Sequence, residues 1–389
     1  MTRALVLGLG RSGKAARALL LSKGMEVVAL DKGDAFPSAG GAPFAFAVVS
    51  PGIALDHPWI GTARERGIPL KSELQLGCEE LNARGVRLLA VTGSKGKSSV
   101  VKLVADALTA TGASAVACGN YGLPVTEVAL SGAVDWAVVE VSSFMMETTL
   151  LSQDTFEAAT ILNLQEDHLD RHGSVEVYHA LKRKLLSFAK RTIVGADFLA
   201  DAALVEGSYF DNDILRENGA AAVGLLRVAG LQNDEIRAAF RAFCPLPHRM
   251  NRVAEKNGVV FIDDSKATSL AALRAGVEMA GSTSRAVRLI AGGLGKGDDP
   301  LSVVPTLTKR VKKVYLIGQC AELFRSAWSA FVDCEVCGTM DRAVGAALRE
   351  AVEGETVLLS PGTASFDQFK GFGERGDIFA TLVNKGIQE

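Results

Sequence analysis

A glycine-rich loop near residue 93 is the feature that most constrains how this chain can fold. The loop reads Gly93-Ser94-Lys95-Gly96-Lys97-Ser98-Ser99, between an apolar run at 86–92 and a helix-like run at 100–108. A strand–loop–helix unit of this kind places backbone N–H groups where they can bind a polyphosphate. Lys97 would then reach the terminal phosphates, and Ser98 would offer its hydroxyl to Mg²⁺. The spacing is shorter than that of the usual phosphate-binding motif, so a plain glycine turn with a surface lysine is the alternative on this pattern alone.

Size and composition restrict the classes of protein to which the chain can belong. Its 389 residues suffice for two or three domains, and 48% hydrophobic with 22% charged residues is ordinary for a globular protein. The net charge of −2, without a strongly basic region, argues against a nucleic-acid partner. No apolar run is long enough to span a bilayer. The six cysteines are scattered and do not form a disulfide framework, which favours a reducing cytoplasm.

The order of apolar runs and helical patterns predicts a three-domain α/β protein. The N-terminal part begins as β–α–β, with Gly-x-Gly-x-x-Gly at 8–13 and Asp31 ending the second strand, which is typical of a Rossmann-like unit. Strands that alternate with helices then predict a central P-loop mononucleotide-binding domain with a mostly parallel sheet, and a second Rossmann-like domain at the C-terminus. We place the domains at 1–85, 86–246 and 247–389.

Acidic and imidazole side chains follow the strands of the predicted central domain. Glu140 ends the strand at 136–141, where it could hold Mg²⁺ beside the glycine loop or cap the next helix. His168 lies among several acids at 166–172, a composition that fits a functional loop or a solvated one. The charge pattern around Lys182 by itself favours a solvated helix face.

Three loops of the predicted C-terminal domain carry polar residues and glycines directly after strands, at 263–268, 292–296 and 360–365. Because parallel strands place such loops at the same end of a sheet, we expect a binding rim there. Arg249, which precedes the first of these strands, could pair with a phosphate or stack on a base.

Together these motifs resemble those of the Mur ligases. The matching segments occur in order through all three predicted domains, at 93–99, 161–170, 247–249, 264–268 and 360–369. The last two, together with 49–53, are similar to the branch of the family that adds D-glutamate. The resemblance implies a cytoplasmic, ATP-dependent acid–amino-acid ligase of peptidoglycan precursor synthesis. Its substrates would be UDP-N-acetylmuramoyl-L-alanine and D-glutamate, joined through an acyl-phosphate intermediate.

The resemblance also implies roles for individual residues. ATP would be bound by the loop and by an adenine site between the second and third domains, through Gly93, Ser94, Lys95, Gly96, Lys97, Ser98, Ser99, Asn218, Arg249 and Asp264. The catalytic residues would be Lys97, Glu140, His168 and Lys182. Two Mg²⁺ ions would be held by Ser98 with Glu140 and by His168 with a carbamoylated Lys182, which replaces the solvated-face interpretation of that lysine.

Substrate binding follows from the same resemblance. The residues assigned to it are Gly10, Arg11, Ser12, Asp31, Ser50, Pro51, Gly52, Asn120, Ser142, Lys266, Thr268, Lys296, Ser365, Phe366 and Phe372. The seven residues from Gly10 to Gly52 in this list, together with Asn120, would form the pocket for uridine diphosphate. Lys266, Thr268, Lys296, Ser365 and Phe372 would bind D-glutamate.

Other functions remain open at this point. A nicotinamide-dependent dehydrogenase would explain residues 8–13 but not 93–99 or 166–170. A non-catalytic P-loop switch would need no site for an acceptor amine. Another Mur-type ligase or a folylpolyglutamate-type ligase is the nearest alternative. We expect a monomer that binds neither nucleic acid nor a membrane.

Overall fold

The computed structural model describes residues 2–38, 42–212, 215–284, 286–295 and 297–388. Its contacts divide the chain into two compact units, Met1–Phe243 and Cys244–Glu389. The first unit contains two sheets and the second contains one, and nearly all strand pairs in them are parallel. The predicted α/β class with mostly parallel sheets is therefore confirmed, whereas the domain boundaries at 85 and 246 stay predictions.

The first sheet is built from the N-terminal residues. Its elements are β1 (Arg3–Leu7), α1 (Arg11–Ser22), β2 (Glu26–Leu30), β3 (Phe44–Val49), α2 (Pro58–Glu65), β4 (Leu70–Ser72) and α3 (Glu73–Ala83). The strand order is β2-β1-β3-β4, so β2 pairs with one edge of β1 and β3 pairs with the other. Alternate residues of β1 enter different cores, with Val6 in one and Leu5 in the other, which is why residues 4–7 are all apolar.

The second sheet carries the glycine-rich loop. The strands and α-helices are β5 (Arg87–Thr92), α4 (Lys97–Ala110), β6 (Ala115–Gly119), α5 (Val125–Leu130), β7 (Trp136–Glu140), α6 (Ser143–Met146), β8 (Ala158–Ile161), α7 (Leu169–His172), α8 (Val175–Lys184), β9 (Thr192–Ile193), α9 (Arg216–Val228) and α10 (Asn233–Ala242). The strand order is β6-β7-β5-β8-β9. The loop after the central strand β5 therefore lies at the switch point where open α/β sheets bind ligands.

These two sheets share one hydrophobic core. Val6 of β1 and Ala90 of β5 belong to the same cluster of buried side chains, which is completed by residues of α3 and α5. The two helices pack closely at Gly77, where a Cβ atom would lie 2.6 Å from Val125 Cγ1. The shared core explains why residues on both sides of the predicted boundary at 85 form a single compact unit.

The second unit has a six-stranded sheet. The strands and α-helices are β10 (Asn251–Lys256), β11 (Val259–Asp263), α11 (Leu270–Thr283), β12 (Ala286–Gly292), α12 (Val304–Arg310), β13 (Val311–Ile317), α13 (Ala321–Trp328), β14 (Asp333–Gly338), α14 (Met340–Glu350), β15 (Glu355–Leu359) and α15 (Phe372–Gln388). The order is β10-β11-β15-β12-β13-β14, and only the pairing of β10 with β11 is antiparallel.

Some elements differ from the sequence-based expectation. The pattern at 178–190 predicts a basic helix, but the helix runs over Val175–Lys184, because Ser174 caps it by accepting a hydrogen bond from Val177 N, and a 3₁₀ segment follows at Leu185–Phe188. The pattern at 213–230 predicts another helix; α9 covers Arg216–Val228 of it, and 213–214 lie outside the described residues. The edge strand β10 and the long helix α15 were not predicted. None of the helices in the described ranges combines the length and hydropathy of a membrane span.

Candidate active site

The glycine-rich loop adopts backbone conformations that require glycine. Gly93 has φ of 149° and Gly96, which caps α4, has φ of 83°. A Cβ atom on Gly96 would lie 2.2 Å from Asn218 Nδ2, so a side chain there would also collide with α9. The loop opens a helix of 14 residues, whose first-turn N–H groups are available to an anion. This is the local geometry that the sequence pattern predicted.

Residues after β8 hold the loop in place. Asn163 Oδ1 accepts a hydrogen bond from Lys95 N at 2.8 Å, and Asn163 Nδ2 donates to Lys95 O at 3.0 Å. Ser94 Oγ accepts from Gln165 N at 2.9 Å and donates to Gln165 O at 3.0 Å. Neither Asn163 nor Gln165 was assigned to the site. Both residues follow β8, the strand that pairs with β5, and this position could have identified them.

Two lysines converge on one carbonyl of the loop. Lys97 Nζ donates to Gly93 O at 2.7 Å and to Ser94 O at 3.0 Å, and Lys182 Nζ donates to Gly93 O at 2.9 Å. Lys182 is only 2% exposed, so the solvated-face interpretation of its charge pattern is wrong. Burial, and secondly the nearby charge of Lys97, lower the pKa of Lys182 from 10.5 to about 7. A substantial share of this amine is therefore neutral and nucleophilic near neutral pH.

Tyr178 links this pair of lysines to the histidines. The Lys182 Nζ atom lies 4.5 Å from the centre of the Tyr178 ring, and the hydroxyl of Tyr178 is 3.2 Å from Ser94 Oγ. The rings of His172 and His168 have their centres 5.6 Å and 6.1 Å from that of Tyr178. His168 has φ of 55° and is partly exposed, with Nδ1 3.6 Å from Asp167 Oδ1. Tyr178 thus brings the predicted residues His168 and Lys182 into one neighbourhood.

Glu140 lies at the end of β7, in register with Val91 of β5. Its side chain is 2% exposed; Oε1 accepts from Asn120 Nδ2 at 2.7 Å, and Oε2 is buried without any hydrogen bond. A buried carboxylate oxygen without a partner is costly unless a cation binds it. Ser98, in the first turn of α4, is also buried and offers a second hard oxygen ligand. This donor chemistry fits Mg²⁺, which keeps several waters and phosphate oxygens in its coordination shell.

The described residues contain no group of three or more His, Cys, Asp and Glu side chains that could hold a metal ion. That finding is compatible with Mg²⁺ held by one carboxylate, one hydroxyl and nucleotide phosphates.

A cavity of about 720 Å³ lies in the first unit, next to the first sheet. Of the predicted substrate-binding residues, those that line it are Gly10, Arg11, Ser12, Asp31, Ser50, Pro51, Gly52 and Asn120. Ser142 does not line the cavity but caps α6, where its Oγ accepts from Met145 N. His57, Trp59 and Met145 also line the cavity and were not assigned, because they are far from the glycine motif in sequence.

The N-terminal glycine motif shapes one wall of this cavity. A Cβ atom on Gly13 would lie 1.8 Å from Gly8 O, so only glycine allows α1 to pack so closely on the preceding turn. Ser50 Oγ donates to Gly8 O at 2.7 Å and joins the turns after β1 and β3. Asn120 both lines the cavity and binds Glu140, so one side chain connects the cavity lining to the candidate metal ligand.

The three loops of the second unit lie together, as expected. They follow β11, β15 and β12, which are neighbours and parallel. Gly292 N donates to Pro361 O and Gly362 N donates to Ala267 O, both at 2.9 Å, which joins the loops to one another. The expected binding rim is therefore a continuous surface within this unit.

The predicted substrate-binding residues of the second unit that the structure describes differ in exposure. Lys266 Nζ lies 3.7 Å from the centre of the Phe372 ring. Ser365 is 2% exposed and Phe366 is 70% exposed, while Thr268 is half-buried. Lys296 lies outside the described residues.

The predicted adenine residues belong to both units. Asn218 is buried in the first unit beside Gly96. Arg249 and Asp264 belong to the second unit, where Asp264 accepts from Ser360 Oγ at 2.9 Å and from Met250 N at 3.3 Å. Their common role in adenine binding remains a prediction.

Asp264 gives a testable pH dependence. Burial raises its pKa from 3.8 to about 7, so the folded protein retains a proton that the unfolded chain releases above about pH 4. The contribution of Asp264 to the free energy of unfolding is therefore fully present below about pH 4 and is lost as the pH rises through 7. We expect the Asp264→Asn variant to lose this part of the pH dependence, measured as the urea dependence of amide hydrogen exchange in β11 at pH 5 and pH 8. If the free energy of unfolding fell equally between pH 5 and pH 8 in the wild type and in Asp264→Asn, the prediction would be wrong.

Comparison with known proteins gives concordant matches. The Mur ligase middle domain matches residues 91–204, and the domain described as "Mur ligase, glutamate ligase domain" matches residues 248–362. A UDP-N-acetylmuramoylalanine--D-glutamate ligase from Nitratidesulfovibrio vulgaris is 33% identical over 425 residues, covering 98% of this chain and 95% of the relative. The enzyme of the same name from Gloeobacter violaceus is 34% identical over 444 residues, covering 98% and 99%.

A solved structure shows the same fold. The MurF ligase of Thermotoga maritima, in complex with ADP, matches with a TM-score of 0.61 at 14% identity, covering 100% of this chain and 96% of that one.

Proposed function

This chain belongs to the Mur ligase family, and we propose that it joins D-glutamate to UDP-N-acetylmuramoyl-L-alanine at the expense of ATP. It is an ATP-dependent acid–amino-acid ligase of peptidoglycan synthesis. The observation that carries the proposal is the full-length similarity to ligases named for this reaction, which spans both compact units of the chain.

The first step of the reaction is phosphoryl transfer. The terminal carboxylate of UDP-N-acetylmuramoyl-L-alanine attacks the γ-phosphorus of ATP, the bond to the bridging oxygen breaks, and ADP leaves. Negative charge on the transferring group requires positioned cations. Lys97 supplies a cation and the N–H groups at the start of α4 supply hydrogen-bond donors; the position of Lys97 Nζ against the loop carbonyls supports this role.

Two Mg²⁺ ions are part of the proposal. Ser98 and Glu140 would hold one, and His168 and Lys182 the other; bound Mg²⁺ would neutralise phosphate charge. The buried, unpartnered Oε2 of Glu140 supports the first site.

Lys182 would serve the second site as a carbamate, because an ammonium group repels a metal ion and Mg²⁺ prefers oxygen ligands to a neutral amine nitrogen. Attack of its neutral Nζ on CO₂ forms a C–N bond and releases one proton, leaving a carboxylate-like oxygen ligand. The lowered pKa of Lys182 supports this modification because it supplies the neutral amine.

The second step forms the amide. The amino group of D-glutamate attacks the acyl carbon, phosphate leaves, and the amine loses a proton. We assign the amino acid to Lys266, Thr268, Lys296, Ser365 and Phe372, with Phe366 at the exposed edge of the same rim. A cluster of cationic and hydroxyl side chains is the chemistry that a dicarboxylate requires.

The cavity of the first unit suits the uridine diphosphate end of the other substrate. The start of α1 offers backbone N–H groups to a diphosphate, and Trp59 offers an apolar surface to a base. A dehydrogenase would use the same glycine motif, but it would not explain why Asn120 joins this cavity to Glu140.

A phosphate-release assay tests the function. ATP, UDP-N-acetylmuramoyl-L-alanine and a panel of D- and L-amino acids are supplied, and phosphate release is expected only with D-glutamate. Release with a different amino acid of the panel would instead indicate another Mur-type ligase. Release with L-glutamate and a folate would indicate a folylpolyglutamate-type ligase.

We also propose that the protein is cytoplasmic. All six cysteines are free, which supports a reducing cytoplasm. A monomer without nucleic-acid or membrane partners remains our expectation.

Glu140 provides a test of the first metal site. Glu140→Gln keeps the shape and can still accept from Asn120, but it removes the carboxylate charge. We expect kcat to fall about 100-fold and the Mg²⁺ concentration for half-maximal activity to rise. Titration of activity with Mg²⁺ measures both effects. An unchanged Mg²⁺ dependence would remove Glu140 from the metal site.

A further inference from the structure

A buried arginine beneath the rim of the second unit has no part in the reaction described above. Arg375, near the start of α15, is 0% exposed. Its Nε donates to Ser265 Oγ at 2.9 Å and its Nη2 to Ser265 O at 2.9 Å. Nη2 also donates to Thr363 O at 3.2 Å, and Nη1 donates to Ala364 O at 3.3 Å. All these acceptors are electrically neutral.

Arg375 contacts each of the three loops of the rim. Ser265 belongs to the loop after β11, and Thr363 and Ala364 belong to the loop after β15. In the loop after β12, a Cβ atom on Gly293 would lie 3.2 Å from Arg375 Nη1, so that backbone packs directly on the guanidinium. The neighbours of these contact residues in sequence are Lys266 and Ser365, which we assign to D-glutamate. The guanidinium therefore fixes the backbone on which the amino-acid site is built.

The charge of Arg375 is not cancelled by a contact. In the described part of the chain, no carboxylate forms an ion pair with it. Asp263 and Asp367 act on it only at longer range. Asp263 binds His248 and Ser265 N, while Asp367 accepts from Gln319 N through Oδ2 and its buried Oδ1 forms no hydrogen bond within the described residues. Burial lowers the pKa of Arg375 only to about 10, so it stays charged.

Burying a cation among neutral carbonyl groups costs desolvation free energy. This cost favours a functional role for Arg375. Its field raises the positive potential of the loops above it, where Lys266 adds a second positive charge. Such a surface favours a ligand that carries two carboxylates over one that carries a single carboxylate.

We propose that Arg375 is the positioning residue that makes the acceptor site selective for a dicarboxylic amino acid. It acts without touching the ligand, by fixing the three loops and by supplying positive charge behind them. This inference rests on the proposed function and deepens it by assigning the acceptor specificity to a buried group.

The test separates binding of the amino acid from activation of the other substrate. Arg375→Met and Arg375→Lys are assayed for kcat and for KM toward D-glutamate and ATP. Acyl-phosphate formation without D-glutamate is followed by trapping with hydroxylamine. We expect KM for D-glutamate to rise about 10- to 100-fold in Arg375→Met. KM for ATP and hydroxylamine trapping should stay near wild type. Arg375→Lys, which keeps the charge but cannot reach all the carbonyls, should be intermediate.

Arg288 is the matched control in the same sheet. It is 4% exposed but is paired with Glu355 Oε2 at 2.6 Å, near the opposite end of β12. Arg288→Met should lower the unfolding temperature without changing KM for D-glutamate. If the Arg375 variants do not fold, Ser265→Ala removes one acceptor of the guanidinium and should raise the same KM by a smaller factor.

The outcomes are distinguishable. A wild-type enzyme that uses D-glutamate, together with folded Arg375 variants or Ser265→Ala that keep its KM, would overturn the role of Arg375 alone. Equal losses of D-glutamate binding and hydroxylamine trapping would also overturn it, because they would indicate a general structural role. A wild-type enzyme without D-glutamate-dependent phosphate release would overturn the proposed function and this inference together.

Discussion

Replacing Lys97 by alanine is expected to lower kcat by about 10³-fold while leaving the fold intact. Lys97 is the lysine of the glycine-rich loop, and its ammonium group lies against the carbonyls of Gly93 and Ser94. Without it, the negative charge that develops during phosphoryl transfer would lose the side-chain cation at the start of α4. Steady-state phosphate release measures the effect, and far-UV circular dichroism checks the fold.

The control for Lys97 lies on the same helix. Lys102 forms an exposed ion pair with Asp106, one turn further along α4. Lys102→Ala should keep kcat near the wild-type value, because a surface ion pair contributes little. ATP-dependent phosphate release that persists at the wild-type rate in Lys97→Ala would contradict the assignment of the loop.

Replacing Lys182 by alanine should lower kcat by about 100-fold or more, and acetate should restore part of the activity. The argument is that a carbamate on Lys182 supplies a carboxylate-like oxygen, which a small carboxylate can replace in the space left by the side chain. Because Lys182 is 2% exposed and lies over the ring of Tyr178, that space is enclosed enough to bind acetate. Activity as a function of acetate concentration measures the rescue.

Lys190 is the control for this experiment. It follows α8 in the chain and pairs with Glu157 at the surface. Lys190→Ala should keep full activity and should not respond to acetate. If Lys182→Ala were fully active without any additive, Lys182 would have no place in the site.

Much of the local structure could be predicted from the chain directly. The glycine-rich loop followed a strand and opened a helix, as expected, because a run of apolar residues, two glycines at special φ values and a helical pattern are local signals. The three polar loops of the second unit were expected at one end of a sheet, and the parallel pairing of β11, β15 and β12 brings them there. The sequence motifs also pointed to the family before any contact was known.

Other features could not be read from the chain. The charge pattern of α8 indicated a solvated face, yet Lys182 is buried, because the helix packs this side against a loop 89 residues earlier in the sequence. Arg375 looked like an ordinary polar residue, and Asn163 had no individual role, until their hydrogen bonds to distant loops were visible. The sharing of one core by the first two sheets was likewise unforeseen.

The difference has a physical reason. Turns, caps and strand periodicity depend on neighbours a few residues away, so the order of residues specifies them. Burial and the pKa of Lys182 or Asp264 depend on which distant atoms exclude water from the side chain. Those atoms come together only when the sheets have formed and packed, and for this reason the chemical state of the site belongs to the folded protein.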